Sequence, residues 1–430
     1  MRIPVKNILP LLSLFCLNEV SAQMNTNSPY SHYGIGELSI PGFARGRAMG
    51  RTGLALRDNH QLNYLNPASY TSQDTLSFLF DFGVNGRYAT YETSELSQEA
   101  SNFNMDHIAI GFPITSWWKS SIGVMPYSYV GYNIREESFL QHVGAVDYLY
   151  RGSGGLDKFY LGTALEFFHH LSLGVNFSYV FGALEVENSV QFPLKETYSL
   201  SQVSSRTLIN GFIYDFGLQY YQTFAGDYTV TLGMVFDNRA ELGAQRILTK
   251  KNVFAGSSTA VTDSTVLNPS FILEDDTVPG TVVMPARNGA GIGFSYKQKV
   301  LLGFDYYRQD WSQASILGES QGLVNSSSMR AGLEVTPDPE ALRGYWKRVH
   351  YRLGGYSDKT YLMINGEQLD NSGVTFGLGM PLRGGRSSFN MACNMGRRGS
   401  LENNLVKEKY VFLSFSVTLH DFWFFKRKFD

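Results

Sequence analysis

Residues 171–182, LSLGVNFSYVFG, alternate with a period of two. Leu171, Leu173, Val175, Phe177, Tyr179 and Phe181 take one parity, and Ser172, Gly174, Asn176, Ser178 and Gly182 the other, with Val180 as the exception. Successive side chains of a strand point to opposite faces, so one face here is large and apolar and the other small and polar. A soluble sandwich can carry this pattern, as can a strand with one face in lipid and the other toward a wet lumen. How often the pattern recurs, and where the chain is sent, decide between them.

The first residues give the address. Arg2 and Lys6 precede an apolar run over residues 8–17, and Val20-Ser21-Ala22 before Gln23 has the small-residue form of a signal-peptide cleavage site, so residues 1–22 are expected to be removed on export. Cys16 follows the bulky Phe15, which does not suit a lipidation site. Cys393 is then the one cysteine left, and no intrachain disulfide is expected. Past the signal no run of about 18 apolar residues occurs, which excludes helical spanning. A chain of this kind in a membrane must be a closed β-barrel, because an open sheet edge leaves backbone groups unpaired in hydrocarbon. With 14% aromatic residues, 17% charged residues and a formal net charge of -2, the chain is neither a disordered segment nor a basic nucleic-acid binder.

From residue 74 onward strand patterns follow one another. Phe78, Phe80 and Phe82 alternate with Leu79, Asp81 and Gly83; Phe212, Tyr214 and Phe216 with Ile213, Asp215 and Gly217; Leu302, Phe304 and Tyr306 with Gly303, Asp305 and Tyr307. The last segment, residues 411–419, is as strongly patterned as the first, as closure of a sheet on itself requires. The count runs from 14 to 16, depending on residues 143–150 and 242–253, and 14 is expected because even numbers are the rule and residues 135–155 are poorly patterned. The expected fold is all-β, an antiparallel transmembrane barrel over residues 74–421. Residues 422–430 form an aromatic and basic tail, Phe422 to Phe425 suiting an interfacial girdle. Residues 250–288, with Glu274, Asp275 and Asp276, are the best candidate for a long exposed loop, and residues 188–205 and 357–372 for shorter ones.

Residues 23–73 do not alternate. They are rich in Gly, Asn and Pro, but Tyr30, Tyr33, Phe43, Met49, Leu54, Leu56, Tyr64 and Tyr70 give them something to pack, which favours an ordered plug over a disordered tail.

Signs of enzyme chemistry are weak. Adjacent His169 and His170 project to opposite strand faces, and no HExxH, GxSxG or phosphate-loop motif occurs, so no catalytic residues, metal or cofactor are expected. Asp215, Asp237 and Asp305 lie on the small-residue parity and are expected to face the lumen, where Arg330, Arg352, Arg383 and Arg397 are possible partners.

Residues 49–58, MGRTGLALRD, followed by Leu65-Asn66-Pro67-Ala68-Ser69, resemble the N-terminal hatch of the FadL-like transporters of long-chain fatty acids and hydrocarbons, in particular the Bacteroidota branch. His350-Tyr351-Arg352-Leu353-Gly354-Gly355-Tyr356 and residues 376–382 agree with it. The resemblance implies a 14-stranded outer-membrane barrel with its N-terminus inside, and a route for a hydrophobic small molecule to a lateral opening at a kinked strand. Pro126 is the kink candidate, since proline removes a ladder donor. The hatch residues Phe43, Met49, Leu54, Leu56 and Tyr64 become candidate ligand contacts, Arg45, Arg47, Arg51 and Arg57 candidate anion contacts, and Asn66, Pro67 and Ala68 the plug motif. The family pattern often has glycine around Arg51, which puts close backbone packing there in question. The alternative is a non-transporting barrel that serves as a subunit or scaffold of a larger outer-membrane secretion or assembly complex. Expected partners are therefore membrane lipid, a hydrophobic ligand or other outer-membrane proteins, and no nucleic acid.

Overall fold

The computed structural model describes residues 24–192, 200–253, 270–320, 322–382 and 386–422. The expected signal peptide and residues 423–430 of the tail lie outside the described residues.

Fourteen antiparallel strands close into a barrel. In chain order they are β1 (Ser77–Glu92), β2 (Ser97–Pro113), β3 (Trp118–Tyr129, resuming as Tyr132–Leu140), β4 (Gly144–Phe167), β5 (Leu171–Gln191), β6 (Leu200–Phe224) and β7 (Tyr228–Asp237, resuming as Ala240–Val253). There follow β8 (Ser270–Met284, resuming as Arg287–Tyr296), β9 (Val300–Gln309), β10 (Ser326–Val335), β11 (His350–Ile364), β12 (Glu367–Pro381), β13 (Ser388–Arg398) and β14 (Lys407–Phe422). Each pairs with its neighbours in sequence, and β1 closes on β14 from Ser77↔Phe422 to Glu92↔Lys407. Closure gives every strand two partners, which a hydrocarbon surround demands.

The alternation in 171–182 is realised residue by residue. Ser172, Asn176 and Ser178 are buried, while Leu173, Phe177, Tyr179 and Phe181 stand exposed on the outer surface. Phe212, Phe216, Phe236, Phe304 and Phe376 continue that outer band on other strands. An exposed aromatic and aliphatic surface of this extent, around a sheet closed on itself, is a lipid-facing surface. Val180, the exception in the pattern, is fully buried because the lumen at its level is apolar: it packs with Tyr30, Leu156, Ile209, Leu242 and Val282.

Strands β4, β5 and β6 are 24, 21 and 25 residues long. A tilted strand crosses a bilayer in about 9–11 residues, so these run well past the membrane as a ribbon wall on the side away from the barrel's termini. Of residues 143–150, all but Val143, and residues 242–253 belong to that wall as continuations of strands already counted. The three expected loops are corrected accordingly. Of residues 250–288, the ladder takes Lys250↔Glu274, Thr249↔Asp275 and Leu248↔Asp276, and residues 254–269 lie outside the described residues. Residues 188–191 and 200–205 are likewise strand, and residues 357–372 form a hairpin turning at Asn365-Gly366. Such strands have solvent on the outer face, so their sequence lacks the apolar alternation by which the membrane-spanning parts were recognised.

Candidate functional site

The N-terminal segment packs against the inward-facing residues of the strands. It carries three short 3-10 or α-helical turns, Pro29–His32, Ala44–Ala48 and Pro67–Ser72, and a two-residue strand, Glu37–Leu38. Its backbone lies directly on glycines of the barrel wall. A Cβ at Gly174 would overlap the backbone of Pro67 and Ala68, one at Gly217 the Asn66 side chain, and one at Gly233 the Leu54 carbonyl oxygen. Asn66 is fully buried; its Oδ1 accepts from Ala68 N (3.1 Å) and its Nδ2 donates to Leu54 O (2.8 Å). Close packing persists beside Arg51 because the preceding Gly50 takes a left-handed φ of 66° against Gly355 of β11. Arg51, also at φ 66°, sends its side chain over the Tyr356 ring at 3.5 Å.

The four arginines of the N-terminal segment, Arg45, Arg47, Arg51 and Arg57, all end on groups of this same chain. Arg45 pairs with Asp58 (2.6 Å) and Glu334 (3.0 Å), and Glu334 also holds Arg352 (2.5 Å). Arg47 meets Asp106 at 2.8 Å; Asp106 in turn contacts His107 Nδ1 (2.8 Å), whose Nε2 lies 2.7 Å from Asp81. Arg51 reaches Asp358 at 3.2 Å. Arg57 has no acid partner among the described residues, but donates to Gln219 (2.9 Å) and Thr71 (3.0 Å) and lies over the Tyr221 ring. Asp305 accepts from the backbone N–H groups of Gly53 (2.7 Å) and Leu54 (3.0 Å). Lumen carboxylates and hatch cations thus answer one another, as buried charges must.

The barrel wall is split between β2 and β3. Their ladder ends at Ile108↔Val124, and beyond it β3 is bulged against β4 between Pro126 and Ser128 and interrupted at Val130-Gly131. The N-terminal segment occupies the vacated edge. Glu37 and Leu38 pair with Tyr129 and Ser128, Ser39 N donates to Tyr127 O (3.0 Å), and Asn104 of β2 donates to Asn25 O (2.8 Å). Glu37 fixes this strand through a buried square of charges. Its carboxylate meets Arg87 (2.8 Å) and Arg398 (2.6 Å), both of which also face Glu408 (3.0 and 3.5 Å). Burial alone would raise the Glu37 carboxyl, but the Arg398 and Arg87 guanidiniums hold it down at about 2.

A cavity of about 260 Å³ lies beside the N-terminal segment, with Arg51, Tyr64, Lys158, Asp215, Asp237 and Arg287 among its lining residues. Asp237 is bound by Arg287 at 2.6 Å. Of the candidate ligand contacts only Tyr64 reaches this cavity. Phe43 stacks on His107 (3.7 Å between centroids), Leu54 packs with Val235 and Tyr307, and Met49 lies against Gly332. Toward the far mouth, Trp311 is buried and stacked on Tyr361, whose hydroxyl donates to Gly36 O (2.9 Å). Tyr30 and Ile35 of the N-terminal segment so join Trp311, Ala314 and Leu323, which sequence reasoning left without a role, in one apolar cluster. Of the expected carboxylate partners, Arg330 faces Asp305 across the ladder, Arg352 serves Glu334, Arg397 is exposed, and Arg383 lies outside the described residues.

A sequence model of the family named BamG matches residues 4–430, nearly the whole chain. The chain belongs to the BamG family. Among solved structures, this BamG-family barrel is similar to the P. putida toluene transporter TodX, at 14% identity, covering 89% of this chain and 99% of that one, with a TM-score of 0.59. It is similar also to the Ralstonia pickettii toluene transporter TbuX (13%, 88% and 98%, 0.55) and to a Pseudomonas aeruginosa FadL homologue (10%, 90% and 100%, 0.55). At such identities the likeness is one of fold: an outer-membrane-type barrel shared with hydrocarbon channels. No curated protein matches the chain.

Proposed function

We propose that this chain is exported through its N-terminal signal and inserted into the outer membrane as a plugged, non-conducting barrel that serves as a subunit of a larger outer-membrane assembly. The observation that carries the reading is the state of the lumen. Residues 24–73 act as the plug: their backbone lies on barrel glycines, Arg45, Arg47 and Arg51 pair with acids of the same chain, and the Glu37–Leu38 strand pairs with β3. A barrel closed in this way works through its outer wall and rims. At the end bearing the barrel's termini, residues 336–349 form a long connection, with Leu342 fully exposed, Trp346 64% exposed and Tyr345 40% exposed. The ribbon wall at the other end offers a second, polar surface for protein contacts.

A second reading, passage of hydrophobic small molecules, is favoured by the split between β2 and β3 and by the cavity beside it, with the N-terminal strand as a removable seal. Affinity purification from native membranes after mild cross-linking, paired with hydrocarbon uptake by liposomes holding the purified protein, separates the two. The assembly reading expects stoichiometric outer-membrane proteins in the purified fraction and uptake equal to empty liposomes. Recovery of the chain alone, with saturable uptake, would overturn it in favour of transport.

A further inference from the structure

Where the N-terminal segment leaves the lumen to enter β1, three potential metal ligands converge from distant parts of the chain. His60, Asp74 and His420 place their ligand atoms within 4.8 Å of one another. Asp74 Oδ2 lies 3.7 Å from His60 Nε2 and 3.5 Å from His420 Nε2, and the two imidazoles meet edge to face at 5.0 Å. The surrounding bonds orient the ligands without using them up. Asp74 Oδ1 accepts from Asn59 Nδ2 (3.0 Å), leaving Oδ2 turned to the histidines; His60 N donates to Asp58 Oδ1 (2.7 Å); and His420 N donates to Ser387 Oγ (3.0 Å).

The second observation is His420 itself. It sits on the inward parity of β14, its side chain is fully buried, and neither Nδ1 nor Nε2 has a hydrogen-bond partner. A buried polar group without a partner destabilises the fold, and an imidazole aimed at a carboxylate and a second imidazole is what a divalent ion would satisfy.

We propose that His60, Asp74 and His420 bind one divalent transition-metal ion, Zn²⁺ by preference, as a clasp between the end of the N-terminal segment and the last barrel strand. Two imidazole nitrogens and one carboxylate oxygen are a Zn²⁺ ligand set, with water as the fourth ligand. Tetrahedral ligands at roughly 2.0–2.1 Å from the metal lie about 3.3 Å apart, close to the 3.7 and 3.5 Å that separate Asp74 Oδ2 from the two imidazoles. The remaining adjustment falls on His60, a half-exposed side chain on a turn. Asp74 and His420 are held by β1's approach and by β14, so the ion would tie a loop of the segment to a rigid wall. The site is open at the end bearing the barrel's termini, the side from which an ion would enter.

The test uses the full mature chain in detergent, with any affinity tag removed and resident metal stripped by chelator. Titration with Co²⁺ should give visible absorption bands that saturate at one ion per chain and vanish on adding Zn²⁺, and Zn²⁺ should raise the thermal midpoint. His60→Gln and Asp74→Asn, which leave the buried His420 in place for folding, should abolish the bands and the thermal shift, and Asn59→Ala should weaken binding roughly 10–100-fold. His169→Ala with His170→Ala should change neither readout. Absence of saturable one-to-one binding would overturn the proposal, as would binding that persists unchanged in His60→Gln and Asp74→Asn. Neither result bears on the assembly reading, which rests on the lumen.

Discussion

Replacing Glu37 by Gln removes the charge that holds the N-terminal strand in the β2–β3 split. Arg87 and Arg398 are then left sharing Glu408, with Arg398 3.5 Å from it. Taking one partner from a buried ion pair costs roughly 3–5 kcal/mol. The loss falls on the Glu37–Leu38 strand, whose ladder to β3 is only two residues long, and not on the barrel ladders, which have pairing on both sides. At about 1.4 kcal/mol per tenfold change in an equilibrium, local opening should become about two to four orders of magnitude more frequent. Hydrogen exchange followed by mass spectrometry reads this directly at the Ser39 amide, which donates to Tyr127 O. Peptides from β12 and β13 serve as internal references. Glu92→Gln is the control: its pair with Lys409 is largely exposed, and an exposed pair is worth at most about 1 kcal/mol. Unchanged protection of residues 37–40 in Glu37→Gln would refute the claim that this carboxylate locks the seam.

Further outcomes follow from the same geometry. Because the folded Glu37 carboxyl is depressed to about 2 from an ordinary value of 4.5, its stabilisation is complete above about pH 4.5 and is lost as pH falls through 2. Exchange at residues 37–40, corrected for intrinsic rate, should therefore be flat from pH 7 to 5 and rise below. Gly217→Val and Gly233→Val put side chains into the Asn66 side chain and the Leu54 carbonyl; with backbone on one side and no room on the other, the segment should be displaced, giving protease cleavage within residues 50–76 while β14 stays protected. Asn66→Ala removes the side-chain hydrogen bonds to Leu54, Leu218 and Met234 O and from Ala68 N and should lower stability by about 1–3 kcal/mol, measured as a reduced thermal midpoint in detergent.

The membrane-spanning half of this fold was legible because lipid outside and a polar lumen inside write opposite chemistries on alternate residues; Phe177 and Ser178 are sufficient example. Legibility stopped where that contrast stops. The far ends of β7 and β8, around Thr249 and Asp276, have water outside and pair as strand without apolar alternation, so they read as loop. Val180 broke the pattern because Tyr30, Ile35, Trp311, Ala314 and Leu323 make the lumen apolar at its level, which no local window contains. Arg45, Arg47 and Arg51 were recognisable as important cations, yet their partners Glu334, Asp106 and Asp358 lie 59 to 307 positions away in the sequence, so charge alone suggested an anion ligand. The register of β3 against β4 shifts between Pro126 and Ser128. That the vacated edge is filled by Glu37 and Leu38 has no signature in a two-residue strand. His60, Asp74 and His420 likewise have no spacing that a motif search would find.

Ionic conductance across a planar bilayer tests the sealed lumen most directly. The full mature chain should insert without adding steady conductance, and a variant lacking residues 24–73 should open stable pores. Steady pores of the same size from the intact chain would contradict a barrel closed by its own N-terminal segment.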